Sequence, residues 1–233
     1  MKKILVTGAS RGIGLELCRQ LLEENHQVIG TYREEKSAVP LFGLAKEAAQ
    51  LDLVCLDVNS TESINHAFQA IKQKFSSLDQ VFNNAGILDW SSLSEVTVEA
   101  FRNIYETNVI GVFQVSREAR MLLQNGKDPL IINLSSRLGS ITLRGNTQLG
   151  GAIAYQCSKT ALNMLTKQTS IDYQEYGIRV ISMSPGWVKT DMGGADAKYE
   201  VSESVRLLLS RVKELPTETS GVFLGEDGES IPW

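Results

Sequence analysis

A tyrosine and a lysine four residues apart are the side chains in this sequence best suited to moving a proton. Tyr155 and Lys159 lie in residues 154–165, which contain good helix formers (Ala, Leu and Met), so the sequence predicts a helix. Residues i and i+4 are neighbours on one helix face, which would hold the phenol beside the ammonium. A nearby positive charge stabilises the phenolate and lowers the phenol pKa from its usual value of about 10. The pair is a candidate proton donor and acceptor, although this spacing also occurs by chance on helices without catalytic function.

Three glycines lie between the first apolar run and the first helical pattern. Residues 4–6 predict a buried strand, and Gly8, Gly12 and Gly14 follow it. Glycines here permit a tight turn and a close approach of the backbone to a phosphate, and the helix N-terminus offers free N–H groups to an anion. The spacing is G-x-x-x-G-x-G rather than G-x-G-x-x-G, and the Lys-Ser/Thr of a P-loop is missing. A turn without a ligand is the alternative, but the position after the first strand favours a nucleotide site.

Short apolar runs and helical patterns alternate along the whole chain. The runs that predict strands are residues 4–6, 28–32, 53–58, 81–82, 130–134, 180–183 and 221–224. Helical spacing connects residues 101–122, and Asn59 followed by Glu62 predicts a capping box for the helix after the third strand. Apolar strands that alternate with helices indicate an α/β fold, a doubly wound parallel sheet of about seven strands flanked by helices on both faces. Residues 1–233 are predicted to form a single domain.

Composition narrows the class of protein. The chain has 233 residues, of which 42% are hydrophobic and 21% charged, as is typical of globular proteins. The formal net charge of -4 gives no electrostatic reason to expect nucleic acid or an anionic membrane as a partner. No apolar run reaches the length of about 18 residues that a membrane span needs. Cys18, Cys55 and Cys157 form neither a disulfide framework nor a CxxC zinc pattern, so we expect a reducing, cytoplasmic location and no metal.

Small or polar residues lie at the carboxyl ends of six of the predicted strands. In an open parallel sheet, ligands bind beyond the carboxyl ends of the strands, so these positions outline one long crevice. They are Thr7-Gly8, Arg33, Asp57-Val58, residues 83–86, Ser135-Ser136 and Pro185-Gly186. Asn108 lies on the apolar stripe of the long helix, and a buried amide needs hydrogen-bond partners. It could bond to neighbouring backbone, or it could anchor a water molecule or Lys159.

These motifs, in this order, resemble the short-chain dehydrogenase/reductase family. The matching segments are residues 7–14, 57–58, 83–86, 108, 135–136, 155–159 and 184–190, which together extend over nearly the whole chain. Residues 135–141, 189–194 and 231–233 are similar to the C-factor and sniffer-type carbonyl reductase branch. The resemblance implies a Rossmann-like fold and NAD(P)-dependent oxidoreduction of a small-molecule carbonyl or alcohol.

The resemblance also implies roles for four catalytic residues. Tyr155 would protonate the carbonyl oxygen as hydride arrives, and Lys159 would lower the pKa of Tyr155 and bond the nicotinamide ribose. Ser136, in preference to Ser135, would orient and polarise the carbonyl. Asn108 would hold Lys159 in a water-linked proton relay.

A larger set of residues is implied to contact the cofactor. Asp57 would meet the adenine, residues 84–86 would line the cofactor, and residues 185–190 would seat the nicotinamide. The full set is Gly8, Ser10, Arg11, Gly12, Ile13, Gly14, Arg33, Asp57, Val58, Asn84, Ala85, Gly86, Tyr155, Lys159, Pro185, Gly186, Val188 and Thr190.

The end of the second strand bears on which dinucleotide is used. NAD-specific relatives usually have an acidic residue there for the ribose hydroxyls, but this chain has none until Glu34. Arg11 lies inside the glycine turn and Arg33 follows the second strand, and arginine can clamp a phosphate through two parallel hydrogen bonds. We therefore expect NADP(H) in preference to NAD(H), with both arginines at the 2′-phosphate. The alternative is that both are solvated surface charges.

Two loops and two helices complete the expectations. The interval between Ser136 and Tyr155 is longer than is common in the family. Residues 191–204 have few large apolar side chains, so they are predicted to form a mobile flap over the substrate. The helices of Asn108 and Tyr155 pair subunits in many relatives, so we expect a homodimer or homotetramer.

Three functions fit these motifs. A reductase of aldehydes or ketones would use the complete set of Asn108, Ser136, Tyr155 and Lys159. A signalling or regulatory protein could instead bind the dinucleotide with little or no turnover, as the C-factor likeness suggests, but it would not need Tyr155. A nucleotide-sugar epimerase uses the same Tyr/Lys chemistry, but such chains usually carry an extra substrate domain.

Overall fold

The computed structural model describes residues 1–147 and 150–233. Its strands are β1 (Lys3–Val6), β2 (Gln27–Tyr32), β3 (Leu51–Cys55), β4 (Gln80–Asn83), β5 (Leu130–Leu134), β6 (Arg179–Met183) and β7 (Phe223–Leu224). Its α-helices are α1 (Gly12–Glu23), α2 (Val39–Glu47), α3 (Thr61–Lys74), α4 (Val98–Tyr105), α5 (Gly111–Gln124), α6 (Ile141–Thr147), α7 (Ile153–Asp172) and α8 (Val201–Glu214). Every pair of neighbouring strands is parallel, in the order β3-β2-β1-β4-β5-β6-β7.

Side chains of β1 alternate between two hydrophobic cores, one on each face of the sheet. Ile4 and Val6 pack in the cluster that contains Leu17 of α1. Leu5 packs in the opposite cluster, which contains Phe68 of α3. Successive strand residues point to opposite faces, so an apolar strand buried on both sides requires helices on both sides. The predicted doubly wound sheet flanked by helices on both faces is therefore confirmed.

The direction of winding reverses next to β1. The chain passes from β1 outward through β2 to β3, and it then crosses back to place β4 on the other side of β1. Connections on either side of such a switch point leave opposite faces of the sheet, which opens a crevice beyond the carboxyl ends of β1 and β4. The fold thus brings the glycine turn after β1 and the segment after β4 to one place.

Two predicted strands are shorter in the structure. β3 ends at Cys55, whereas the apolar run predicted a strand to residue 58. Leu56 and Val58 are apolar because they are buried in the core on the α3 side, not because they belong to the sheet. The last strand consists of Phe223–Leu224 alone.

The capping box predicted at Asn59 and Glu62 is wrong. The residue that caps α3 is Ser60, whose Oγ accepts a hydrogen bond from the Ser63 N–H at 3.1 Å. The side chain of Asn59 instead accepts a bond from Thr107 Oγ1 at 2.9 Å. This shift of one residue uses the same chemistry, because serine and asparagine are both good N-cap residues.

A π-helical turn divides the long helix that the spacing of residues 101–122 predicted. α4 and α5 are joined without a break in the chain by Glu106–Ile110, which contains Asn108. A π turn inserts one extra residue into the helix, and such turns are frequent at functional sites. In the described ranges, 1–147 and 150–233, no helix combines the length and apolarity needed to cross a membrane.

Candidate active site

The glycine turn between β1 and α1 is too tight for other residues at two positions. Gly8 has φ +65°, and a Cβ added to it would lie 2.9 Å from Ala85 Cα. A Cβ on Gly14 would lie 2.2 Å from the Gly8 carbonyl oxygen. The turn therefore folds against the start of α1 and against the segment after β4. In the described part of the chain no side chain caps α1, so the first N–H groups of this helix face the crevice mouth without a side-chain acceptor.

Asn84 fastens the segment after β4 to the glycine turn. Its Nδ2 donates to the carbonyl oxygens of Thr7 at 2.9 Å and Gly8 at 3.0 Å. Thr7 Oγ1 in turn accepts the backbone N–H groups of Asn84 and Ala85 at 3.0 and 3.1 Å. Asn84 was predicted to line the cofactor, and the structure shows that its amide donors are committed to holding the turn.

Tyr155 and Lys159 lie on one face of α7, as their spacing predicted. The Lys159 Nζ is 5.5 Å from the centroid of the Tyr155 ring, and the two residues are 6% and 8% exposed. The ammonium donates to the carbonyl oxygen of Leu134 at 2.7 Å, at the carboxyl end of β5. The pair is therefore buried and anchored at the same edge of the sheet as the glycine turn.

Burial dominates the acidity of both groups. It raises the pKa of Tyr155 to about 12, although a hydrogen bond with Ser136 acts to lower it. It also lowers the pKa of Lys159 to about 8. The pKa of the buried phenol is therefore raised, because burial disfavours the phenolate. A lowering contribution from Lys159 stays a prediction.

Of the two serines after β5, only Ser136 faces Tyr155. Ser135 is buried and donates its hydroxyl to Asn163 Oδ1 at 2.7 Å. Ser136 is half-buried and accepts the Leu138 N–H at 3.2 Å, and its interaction with the phenol acts to lower the pKa of Tyr155. A hydroxyl beside the phenol is placed to act on the oxygen that receives the proton.

Asn108 is fully buried, and its amide connects the segment after β4 to α7. Its Oδ1 accepts the Ile87 N–H at 2.9 Å, while its Nδ2 donates to the Ile87 carbonyl oxygen and to Ser158 Oγ, both at 3.0 Å. Gly86 lies between Asn108 and Lys159, and a Cβ on it would be 3.3 Å from Asn108 Oδ1 and 3.7 Å from Lys159 Nζ. The backbone alternative is therefore confirmed, and a water-linked relay to Lys159 stays a prediction.

Residues 185–191 connect the end of β6 to the glycine turn. Gly186 has φ +79°, and Val188 is buried and pairs with Tyr199 in an isolated bridge. The Thr190 methyl carbon lies 3.6 Å from the position of a Cβ on Gly12. This path, which starts at Pro185, therefore lies beside the glycine turn, and its expected contact with the nicotinamide stays a prediction. The predicted flap is shorter than residues 191–204, because α8 already begins at Val201.

Two arginines and an aspartate were expected near the adenine end of the cofactor, and in the structure their side chains bond to neighbouring residues. Arg11 forms an ion pair with Asp191, and Arg33 lies 3.6 Å from Glu34, with side chains 75% and 62% exposed. Asp57 Oδ1 accepts the Asn59 N–H at 3.0 Å, so it shapes the loop after β3.

The other residues of this group differ in burial. Ser10 and Ile13 are half-buried within the glycine turn. Val58 is buried, and a Cβ on Gly111 would lie 2.9 Å from its Cβ, so Val58 supports α5 from within the core rather than lining an open surface.

The sequence model of the short chain dehydrogenase family matches residues 2–200. The chain belongs to the short-chain dehydrogenase/reductase family. Within this family it is similar to the NADPH-bound carbonyl reductase from chicken fatty liver, with a TM-score of 0.95, 36% identity and coverage of 100% of this chain and 99% of that chain. The carbonyl reductase Sniffer of D. melanogaster gives a TM-score of 0.93 and 33% identity, with 100% of both chains covered. C-signal of Myxococcus xanthus is 36% identical over 157 residues, which are 67% of this chain and 93% of that protein.

Two contributors to the site of this short-chain dehydrogenase/reductase were missed by sequence reasoning. Leu134 acts through its carbonyl oxygen, and a backbone acceptor leaves no signal in residue types. Thr7 was noted only as a small residue after β1, although its hydroxyl accepts two N–H groups. In the described ranges no cluster of three or more His, Cys, Asp or Glu residues could hold a metal ion.

Proposed function

We propose that this protein is an NADPH-dependent carbonyl reductase that converts an aldehyde or ketone to an alcohol. The observation that carries the proposal is the buried Tyr155 phenol, which is next to the Lys159 ammonium and interacts with Ser136. With a pKa of about 12, Tyr155 holds its proton at neutral pH and is a donor. The similarity to the carbonyl reductase from chicken fatty liver and to the carbonyl reductase Sniffer supports the substrate class.

The residues present fit a nicotinamide dinucleotide. The glycine turn presents the uncapped N-terminus of α1 to a pyrophosphate, and the lack of a side chain at Gly86 leaves space in front of Asn108 and Lys159. The cofactor, when bound, supplies the hydride. Residues 8–14, 84–86 and 185–190 would hold it, with Arg33 and Asp57 at the adenine end.

The protein's own groups then manage the proton. Ser136 would orient the carbonyl oxygen against the Tyr155 phenol, and Tyr155 would transfer its proton to that oxygen as the carbonyl carbon is reduced. Lys159 would stabilise the phenolate that remains, since an ammonium favours a neighbouring anion in a site of low hydration. The phenolate is reprotonated from solvent, and Asn108 is proposed to support that path through water and Lys159.

Preference for NADPH is supported by Arg11 and Arg33. Both guanidinium groups are exposed on the side of the crevice where β1 and β2 end. Similar structures that contain bound NADPH or NADP support the same preference. The test is the ratio of kcat/KM with NADPH to that with NADH on one carbonyl substrate. A clear NADH preference would refute this part of the proposal.

The substitution Tyr155→Phe tests the reaction itself. We expect NADPH consumption with a panel of aldehydes and ketones, and a loss of kcat of about 10²–10⁴-fold in the variant, because general acid catalysis contributes about that much. Binding of NADPH, measured by fluorescence, should remain. Tyr176→Phe removes the hydroxyl of a tyrosine outside the site and is the matched control. Full activity of Tyr155→Phe would exclude Tyr155 as the acid.

A regulatory protein that binds the dinucleotide without turnover is the second candidate. The similarity to C-signal supports it. The buried set of Tyr155, Ser136 and Lys159 favours the enzyme, since binding alone does not require an acid. Tight NADPH binding without activity on any carbonyl would decide for the regulator.

A cytoplasmic location is proposed on the basis of Cys18, Cys55 and Cys157, all free thiols.

A further inference from the structure

Residues 225–233 contact the turn at residues 136–142 through an ionic cluster. Arg137, next to Ser136, places Nη2 2.9 Å from Asp227 Oδ2 and 3.4 Å from Glu226 Oε2. Glu226 is 7% exposed. A buried carboxylate is costly without a partner, so Glu226 and Arg137 hold each other in place.

A second contact between the two segments consists of hydrogen bonds. Ser140, which is fully buried, donates its hydroxyl to the Pro232 carbonyl oxygen at 2.5 Å. The Trp233 carbonyl oxygen accepts the Thr142 N–H at 3.1 Å and the Thr142 hydroxyl at 2.9 Å. The Trp233 ring stacks on Phe223 of β7 with centroids 5.7 Å apart. Residues 136–142 are thereby tied to the edge of the central sheet.

The other side of the same turn packs on α7, the helix that contains Tyr155 and Lys159. A Cβ on Gly139 would lie 2.8 Å from the Lys159 backbone and Cβ. The Gly139 carbonyl oxygen accepts the Thr160 hydroxyl at 2.9 Å and the Asn163 amide at 3.3 Å. Residues 136–142 are therefore held between α7 and residues 225–233.

Residues 225–233 also contact the turn after β6. A Cβ on Gly186 would lie 3.1 Å from the Glu226 carboxyl carbon. Glu226 thus contacts the turn after β6, while its partner Arg137 belongs to the turn after β5. One segment sets the relative position of both turns.

We infer that residues 225–233 position Ser136 against Tyr155, with Arg137 and Ser140 as the positioning residues through which they act. This inference rests on the proposed carbonyl reduction. Arg137 and Ser140 would not contact the reacting atoms. They hold the turn so that the Ser136 hydroxyl stays beside the phenol, and small errors in the placement of catalytic groups reduce rates strongly.

The test compares Arg137→Gln and Ser140→Ala with the wild-type protein. Each variant should lower kcat by about tenfold, because Ser136 loses its fixed position, and should leave the dissociation constant of NADPH unchanged. Conservative Arg137→Lys should recover part of the loss. A defect confined to stability would lower the melting temperature without this split between kcat and cofactor binding.

Arg179→Gln is the matched control. Arg179 also forms an arginine–aspartate pair, with Asp128 at 2.7 Å, but it lies at the amino end of β6, whereas the site lies at the carboxyl ends of the strands. This control should keep wild-type kcat. If Arg137→Gln fails to fold because Glu226 is left without a partner, the double variant Arg137→Gln/Glu226→Gln removes both charges and takes its place.

Amide hydrogen exchange gives a readout that does not depend on turnover. The Gly139 and Ser140 N–H groups bond within the turn at 2.8 and 3.1 Å, and they should exchange faster in Arg137→Gln and Ser140→Ala. If Arg137→Gln and Ser140→Ala both keep the wild-type kcat, the inference is overturned. If the wild-type protein reduces no carbonyl, the proposed function fails, and exchange then decides alone. Faster exchange at these amides supports the positioning role, and unchanged exchange refutes it.

Discussion

The ammonium of Lys159 and the phenol of Tyr155 lie close together and are almost fully buried. Removing a charged group from water costs free energy. Burial therefore raises the pKa of tyrosine, whose charged form is the phenolate, and lowers the pKa of lysine, whose charged form is the ammonium. The pKa of Lys159 falls to about 8 while that of Tyr155 rises to about 12. At neutral pH the lysine is therefore charged and the tyrosine protonated, which is the state that carbonyl reduction needs at its start.

The pH dependence of stability tests the lowered pKa of Lys159. Between about pH 8 and 10.5 the unfolded chain keeps the lysine proton while the native state releases it, so Lys159 makes wild-type stability rise with pH. Lys159→Met lacks this contribution. We expect the free energy of unfolding of the wild type, minus that of the variant, to increase by about 1–3 kcal/mol from pH 7.5 to 10.

Urea unfolding at several pH values up to 10 is the appropriate measurement. Above pH 10 the raised pKa of Tyr155 acts in the opposite direction, because the unfolded chain then loses the tyrosine proton first. Lys36→Met, at a side chain that is 85% exposed, is the control and should follow the wild-type curve. Parallel curves for Lys159→Met and the wild type would contradict a lowered pKa.

The charge of Arg33 is expected to decide between cofactors. Arg33→Ala should raise the KM for NADPH by about tenfold and leave that for NADH unchanged, since a hydrogen bond to a charged group contributes about 1.5–3 kcal/mol. Arg19→Ala, which removes another exposed arginine bonded to Glu16 and Glu23, should affect neither. Equal increases with both dinucleotides would show that Arg33 does not read the 2′-phosphate.

At the scale of elements, the glycine turn should tolerate change less than a helix does. Gly14→Ala brings a methyl group to 2.2 Å from the Gly8 oxygen and 2.5 Å from Asn84 Nδ2, so the turn must open. We expect a loss of NADPH affinity and a lower melting temperature. Gly43→Ala in α2 meets nothing within 4 Å and should stabilise the protein by about 0.5–1 kcal/mol. Equal melting temperatures for the two variants would contradict the tight turn.

The sheet was predictable because its strands are buried on both faces. Parallel strands under two layers of helices must be apolar throughout, and residues 130–134 were predicted at their observed limits. The same signal overextended β3, since Leu56 and Val58 are buried by packing on helices. Apolarity reports burial, and only the hydrogen-bond ladder separates a strand from a buried loop.

The candidate site was predictable in its residues but not in its energetics. Tyr155 and Lys159 share a helix face because helical geometry fixes residues i and i+4. The sign of the Tyr155 pKa shift depends on how much water reaches the phenol, and spacing does not encode it. Likewise, the π turn at Asn108 and the Leu134 acceptor arise from backbone geometry that different side chains could equally accompany.

At the scale of the whole molecule, α5 and α7 expose large apolar side chains. Ile110, directly before α5, and Phe113 and Met121 within α5 are 41%, 44% and 62% exposed and are separated by three and eight residues, so they lie along one side of the helix. Met164 and Ile171 are 68% and 56% exposed and are seven residues apart on α7. Exposed apolar side chains that cluster on a folded protein often mark an interface, and the homodimer or homotetramer expected from the sequence stays a prediction.

The mass of the protein in solution tests this expectation. We expect light scattering to give at least twice the mass of one chain, and Phe113→Glu combined with Met164→Glu to give the single-chain mass, because a stable interface of about 800 Å² per partner does not tolerate buried unpaired carboxylates. Val39→Glu, at a residue 67% exposed at the start of α2, should leave the mass unchanged. Site residues lie in or next to both helices, with Asn108 in the turn just before α5 and Tyr155 within α7. Dissociation should therefore lower kcat as well as mass, and a wild-type protein that is a single chain at all concentrations would refute the oligomer.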